Sequence, residues 1–78
     1  MNRSFSYAVI LEPAEEGGFI VHVPALPEIC TEGETEAEAL AMAKDAIELV
    51  IASRLERGEP IRIEHGKPIL RDVTAHVA

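Results

Sequence analysis

Apolar residues fall at two different spacings along the chain, and the change from one to the other divides it into elements. Between residues 3 and 12 the period is two: Phe5, Tyr7, Val9 and Leu11 share one face, and Ser4, Ser6, Ala8, Ile10 and Glu12 the other, as in a half-buried strand. Pro13-Ala14-Glu15-Glu16-Gly17-Gly18 then reads as a hairpin loop. A second strand occupies residues 19–23, with Phe19, Val21 and Val23 facing inward and Ile20 and His22 outward. Pro24 and Pro27 bracket a turn, because proline cannot donate to a ladder. Residues 29–33 form a third short strand.

At residue 35 the period becomes helical. Leu40, Ala43, Ile47, Val50, Ile51 and Leu55 recur on one stripe, so the pattern predicts a helix over 35–57, about 34 Å long at 1.5 Å per residue. Thr35 followed by Glu38 is a capping box, and Glu34, Glu36 and Glu38 put negative charge at the positive end of the helix dipole. Arg54 and Arg57 occupy the last turn, Gly58 is placed to end it, and Pro60 blocks continuation. After the helix, residues 61–64 alternate briefly and His65-Gly66-Lys67-Pro68 is a turn; either 61–64 or 73–77 could be a fourth strand of the sheet. The expected fold is therefore α+β, in the order β-β-β-α-β: a small antiparallel sheet with a final strand and one long helix packed on one face.

Length narrows this further. With 78 residues there is room for one core, so residues 1–78 are expected to form a single domain with no DNA-binding domain attached. So small a domain buries a modest fraction of its surface, and this one carries more apolar surface than a single sheet–helix interface uses. Ile10 and Ile20 sit on the outer sheet face, and Met42 and Leu49 widen the helix stripe. These four are the expected contacts of a homo-oligomer, a dimer or higher. No apolar run is long enough to span a bilayer, and Met-Asn-Arg-Ser-Phe-Ser-Tyr lacks the apolar stretch of a signal peptide, so a cytoplasmic protein is expected.

The net charge is −7, and it is unevenly placed. From Ser4 to Ala43 there are eight acidic residues and no Lys or Arg; from Lys44 onward six basic residues balance six acidic ones. An acidic front half repels nucleic-acid phosphates and suits a basic protein partner. Glu32, Glu34, Glu36 and Glu38 are the candidate residues for such a partner, although Glu38 is also committed to the helix cap.

Catalytic and metal chemistry find little footing. His22, His65 and His76 have no ligand spacing with one another or with Cys30, so neither a metal site nor a cofactor is expected. No nucleophile stands in a G-x-S-x-G context, Cys30 has no basic neighbour in sequence, and Gly17-Gly18 lacks the Lys-Ser/Thr of a phosphate loop. The expectation is a protein that is not an enzyme.

Several stretches taken in order resemble the HicB-type antitoxins and their stand-alone relatives: Tyr7-Ala8-Val9-Ile10-Leu11-Glu12-Pro13, Glu16-Gly17-Gly18-Phe19, Val23-Pro24-Ala25-Leu26-Pro27, Thr31-Glu32-Gly33-Glu34-Thr35, Glu38-Ala39-Leu40, Ala43-Lys44 and Ala46-Ile47. Relatives often carry Gly-Cys after the second proline; here Glu28-Ile29 stand there, with Cys30 one position later. The resemblance implies a domain like a truncated RNase H fold. It also implies a partner, a small basic HicA-type toxin that cleaves mRNA. No set of facing metal-binding carboxylates accompanies it, so nuclease activity is not implied. The competing reading is an orphan homo-oligomeric structural or regulatory protein of the same fold without a toxin partner.

Overall fold

The computed structural model describes residues 4–78. Three strands, β1 (Ile10–Pro13), β2 (Phe19–His22) and β3 (Cys30–Gly33), form one antiparallel sheet in the order β1-β2-β3, and helix α1 (Glu36–Arg57) comes after them. The α+β arrangement of three strands and one long helix is the one that the change of period predicts. Leu11 pairs with Val21 and Val21 with Thr31, so the inward residues line up across the strands. The helix covers that face, lying over β3 and β2. Val21, Val23, Leu26, Ile29, Ala39 and Ala43 form the buried cluster, with Tyr7, Val9, Leu11, Phe19, Ala46, Ile47 and Val50 packed around it.

The helix ends are where the caps put them. Thr35, in an extended conformation, accepts a hydrogen bond at Oγ1 from the Glu38 N–H at 3.0 Å. Among the described residues the Glu38 carboxylate makes no return bond, so only half of the capping box forms and that carboxylate faces solvent. Gly58 takes the left-handed conformation at φ 69°, and its N–H reaches back to the Arg54 and Leu55 carbonyls. Thr35→Ala removes the N-cap acceptor and should lower stability by about 1 kcal/mol. Urea unfolding would measure this, and a midpoint unchanged from wild type would show that the cap contributes nothing here.

The buried stripe of the helix is narrower than expected. Ala39, Ala43 and Ile51 are buried, whereas Leu40 and Leu55 are 46% and 43% exposed. Small residues set the closest approach of helix to sheet. Gly33 lies so near the first turn that a Cβ built on it would stand 2.4 Å from the Ala39 nitrogen. With that gap closed, a leucine cannot sit between the layers, and Leu40 is turned aside. The largest fully buried side chain is instead Leu26, in the turn between the two prolines. That turn is held by hydrogen bonds from Leu26 N–H to the Val23 carbonyl (2.8 Å) and from Ile29 N–H to the Leu26 carbonyl (3.0 Å).

Two expectations about strands need correction. The first strand was expected over 3–12; Arg3 lies outside the described residues, and the ladder to β2 involves only Ile10–Pro13. The alternation still holds upstream, since Tyr7 and Val9 pack on the core. The final strand is not formed: neither 61–64 nor 73–77 joins the sheet. Residues 61–64 do run beside the start of the chain, but through side chains. The Tyr7 hydroxyl donates to the Arg62 carbonyl at 2.6 Å, and the Ala8 N–H donates to the Glu64 carboxylate. Pro60 has no N–H to offer a ladder, and Glu64 satisfies the Ala8 donor that a strand backbone would otherwise take. Among the described residues no helix is long and apolar enough to cross a membrane.

Arg54 fastens the far end of the helix. Its guanidinium donates to the Glu28 carboxylate in the proline turn and to the Pro60 carbonyl at 3.3 Å. The Glu28 carboxyl is held below its ordinary value, first by its own backbone N–H and then by Arg54. A carboxyl lowered in the folded state adds stability that is complete above the unfolded value of about 4.3 and is lost as pH falls through the lower folded value. Glu28→Gln should therefore lower stability modestly at neutral pH, where the contribution is complete, and flatten its loss below about pH 5, so that the two proteins converge in acid. Unfolding midpoints taken across that range decide it, and parallel curves for the two proteins would refute it.

Candidate partner-binding surface

The hairpin loop, the end of β3 and the first turn of α1 meet at one end of the molecule. The loop closes through hydrogen bonds from Ala14 N–H to the Gly18 carbonyl and from Gly17 N–H to the Ala14 carbonyl, both 3.0 Å, which folds it back over Gly33. An open cavity of about 470 Å³ lies there, lined by Glu16, Phe19, Glu32, Gly33, Glu34 and Glu38 among others. Three of the four acids singled out from the sequence, Glu32, Glu34 and Glu38, thus share one site. Glu36 is exposed on the same first turn and does not line it.

Glu16 joins these acids, and sequence reasoning missed it. In the sequence it is one of two adjacent loop carboxylates; only the hairpin closure places it across from residues 32–38. The Gly-Gly pair before Phe19, read together with Gly33, was the signal. A Cβ on Gly18 would lie 2.8 Å from the Gly33 carbonyl oxygen, so both glycines mark the close approach of loop to strand.

No Lys or Arg among the described residues pairs with Glu16, Glu32, Glu34, Glu36 or Glu38. The ion pairs formed among the described residues are Glu28–Arg54, Glu59–Arg57 and Glu64–Lys67, and the Glu12 carboxylate meets the His22 ring, all elsewhere. Five carboxylates are thus left to water at one end of the fold, partly offset by the positive end of the helix dipole. Such a surface holds a concentrated negative field.

The four apolar residues expected at an oligomer interface occupy two surfaces. Ile10 and Ile20 lie on the outer sheet face, in the cross-strand rows Ile10–His22–Cys30 and Glu12–Ile20–Glu32. Met42 and Leu49 lie seven residues apart on one flank of the helix, in the other layer, 42% and 72% exposed. On the outer face His22 stands directly opposite Cys30 and is 3.3 Å from the Glu12 carboxylate, a juxtaposition that sequence spacing did not disclose. Among the described residues no group of three or more His, Cys, Asp or Glu is arranged to hold a metal ion.

Two other groups are tuned by the segment after the helix. Burial pushes the Tyr7 hydroxyl above its ordinary range, with Arg54 acting against the rise and Glu64 with it. The Glu64 carboxyl is lowered, first by the Ala8 N–H and then by Lys67. Both are positional contacts that pin residues 62–64 to the start of the chain.

With this geometry in view, comparison with known proteins is informative. Residues 7–73 match the family model described as HicB_like antitoxin of bacterial toxin-antitoxin system. The chain is 44% identical over 59 residues to Antitoxin HicB 1 of Photorhabdus laumondii, covering 76% of this chain and 38% of that protein. It is 54% identical over 41 residues to Antitoxin HicB of Escherichia coli, covering 53% of this chain and 30% of that protein. A UPF0150 protein of Thermoplasma acidophilum is 40% identical over 63 residues, covering 81% of this chain and 91% of its own length. The chain thus spans well under half of the curated antitoxins it matches and nearly all of this shorter relative.

Proposed function

Because the chain belongs to the HicB-like antitoxin family of bacterial toxin-antitoxin systems, we propose that it is a non-catalytic module that binds and neutralises a small basic toxin of the HicA, mRNA-cleaving type. The observation that carries this reading is the group of Glu16, Glu32, Glu34, Glu36 and Glu38, solvated carboxylates at one end of the fold with no cation of the chain's own paired to them among the described residues. A ribonuclease must hold RNA phosphates with Lys and Arg. Carboxylates presented on a rigid hairpin, strand end and helix turn can engage the same cations, so that toxin bound to this surface has no free site for RNA. Complementary charge also speeds encounter, which matters for a protein that must reach a toxin before mRNA does.

The reading assigns no operator binding to residues 1–78. Its test is a calorimetric titration of the chain against a small basic ribonuclease of the HicA type, sought among the products of neighbouring genes, together with co-expression of the two. Tight complex formation and relief of growth arrest are expected. If the chain neither binds that ribonuclease nor relieves arrest, the proposal fails and the orphan homo-oligomer reading takes its place.

A further inference from the structure

The body of the domain ends near residue 64, and the chain then continues outward in an extended line. Ile69, Leu70, Val73 and Val77 are 73–93% exposed. Disordered tails are poor in such residues. This one alternates like a strand, with Ile69, Val73, Ala75 and Val77 on one face and Arg71 between them, yet it pairs with nothing in the sheet. Its cost in shape is large. The radius of gyration is 15.2 Å, against about 11.5 Å for a compact chain of this length. The accessible surface is 6477 Å², against roughly 4,700 Å² for a folded monomer of 8.5 kDa. The surplus is about 1,800 Å², more than twice the roughly 800 Å² that each partner contributes to an interface of standard size.

The same fold has a matching gap. Strand β1 is an edge of the sheet, and the helix leans over β2 and β3, so the core above β1 is thinly covered. A cavity of about 350 Å³ opens there between residues 5–9 and the helix, lined by Tyr7, Val9, Leu40 and Ile47, with Lys44 and Glu48 at its rim. We propose that the tail, residues 69–77, lies along the β1 edge of a second copy and fills this cavity, while that copy returns its own tail to the first. The result is a twofold dimer with exchanged arms, in which each tail supplies the strand missing from its partner's sheet. A tail filling its own chain's cavity is disfavoured by the path of the chain. Residues 62–64 already sit against Tyr7 and Ala8, and none of residues 69–77, all exposed, lines that cavity. Arg71, whose guanidinium contacts only the Leu70 carbonyl among the described residues, would enter beside the Glu48 rim. The inference does not depend on a toxin.

Sedimentation velocity of the full chain at micromolar concentration should give twice the chain mass. The double variant Val73→Asp/Val77→Asp should sediment as a monomer with unchanged helical circular dichroism, since neither residue contributes to the core. Leu49→Glu should remain dimeric. In a Cys30→Ser background, Leu40→Cys with Val73→Cys should oxidise to a disulfide between chains. A wild-type monomer would overturn the proposal, as would a dimer that survives the tail substitutions or is broken by Leu49→Glu. A disulfide formed within one chain, or a tail that becomes protected only on adding toxin, would overturn it as well.

Discussion

Gly33→Ala is expected to be the most damaging single methyl that can be added to this protein. A Cβ at Gly33 would stand 2.4 Å from the Ala39 nitrogen, 2.6 Å from the Ala39 Cα and 2.9 Å from the Glu38 carbonyl carbon. All three are backbone atoms of the first helical turn, so no side-chain rotation can relieve the clash; the helix must lift from β3. Lifting it opens the contact between Ala39, Ala43 and Val21, the centre of the buried cluster. Replacing glycine by alanine at an unstrained position normally stabilises a protein by about 0.4–1 kcal/mol, through the unfolded chain. Here the sign should invert, with an overpacking cost of about 3 kcal/mol or more. Total stability for such a domain is about 5–15 kcal/mol, and a chain this short belongs near the low end. Each kcal/mol is worth about 4–8 °C in a domain of this size, so the melting temperature should fall by more than about 10 °C. A thermal scan within a few degrees of wild type would show that helix and sheet are not locked at this point.

Gly33 also shows what the sequence could and could not disclose. Its place at the end of a strand is legible from the Thr-x-Gly-x-Thr order, but the reason for it lies in the packing of Ala39, six residues on, which no local pattern records. Thr35, Arg54 and Gly58 were legible because caps act through neighbours in sequence. Leu26 was not, because a leucine between two prolines reads as a surface turn, and only the turn's hydrogen bonds aim it into the core. The alternation of residues 61–64 suggested a ladder; the structure spends those residues on the Tyr7 and Ala8 contacts instead. At the candidate site, the concentration of acids over residues 32–38 was readable as charge without cations. The addition of Glu16 depended on how the hairpin folds.

Reversing that charge should produce the largest change in partner binding. In the triple variant Glu32→Lys/Glu34→Lys/Glu38→Gln, the lining of the acidic cavity loses three carboxylates and gains two cations. Gln is chosen at 38 because that residue sits in the first helical turn, where a cation would cost about 0.3–1 kcal/mol through the helix dipole, and because its backbone N–H must still bond Thr35. None of the three side chains is buried, so the fold should persist, and circular dichroism checks that it does. Against a basic toxin, attraction becomes repulsion at two positions, and like charges across an interface cost several kcal/mol. At about 1.4 kcal/mol per factor of ten, affinity should drop on the order of 100-fold or more. Much of the loss should appear in the association rate, because steering by exposed charge acts on encounter. Wild-type binding should weaken as salt is raised, whereas binding of the variant should become less sensitive to salt or reverse its trend. Glu56→Lys, at the opposite end of the helix, provides the control and should leave affinity within a few-fold of wild type. Equal affinities for the triple variant and wild type, measured at low ionic strength by stopped flow and calorimetry, would move the toxin surface away from the acidic end of the fold.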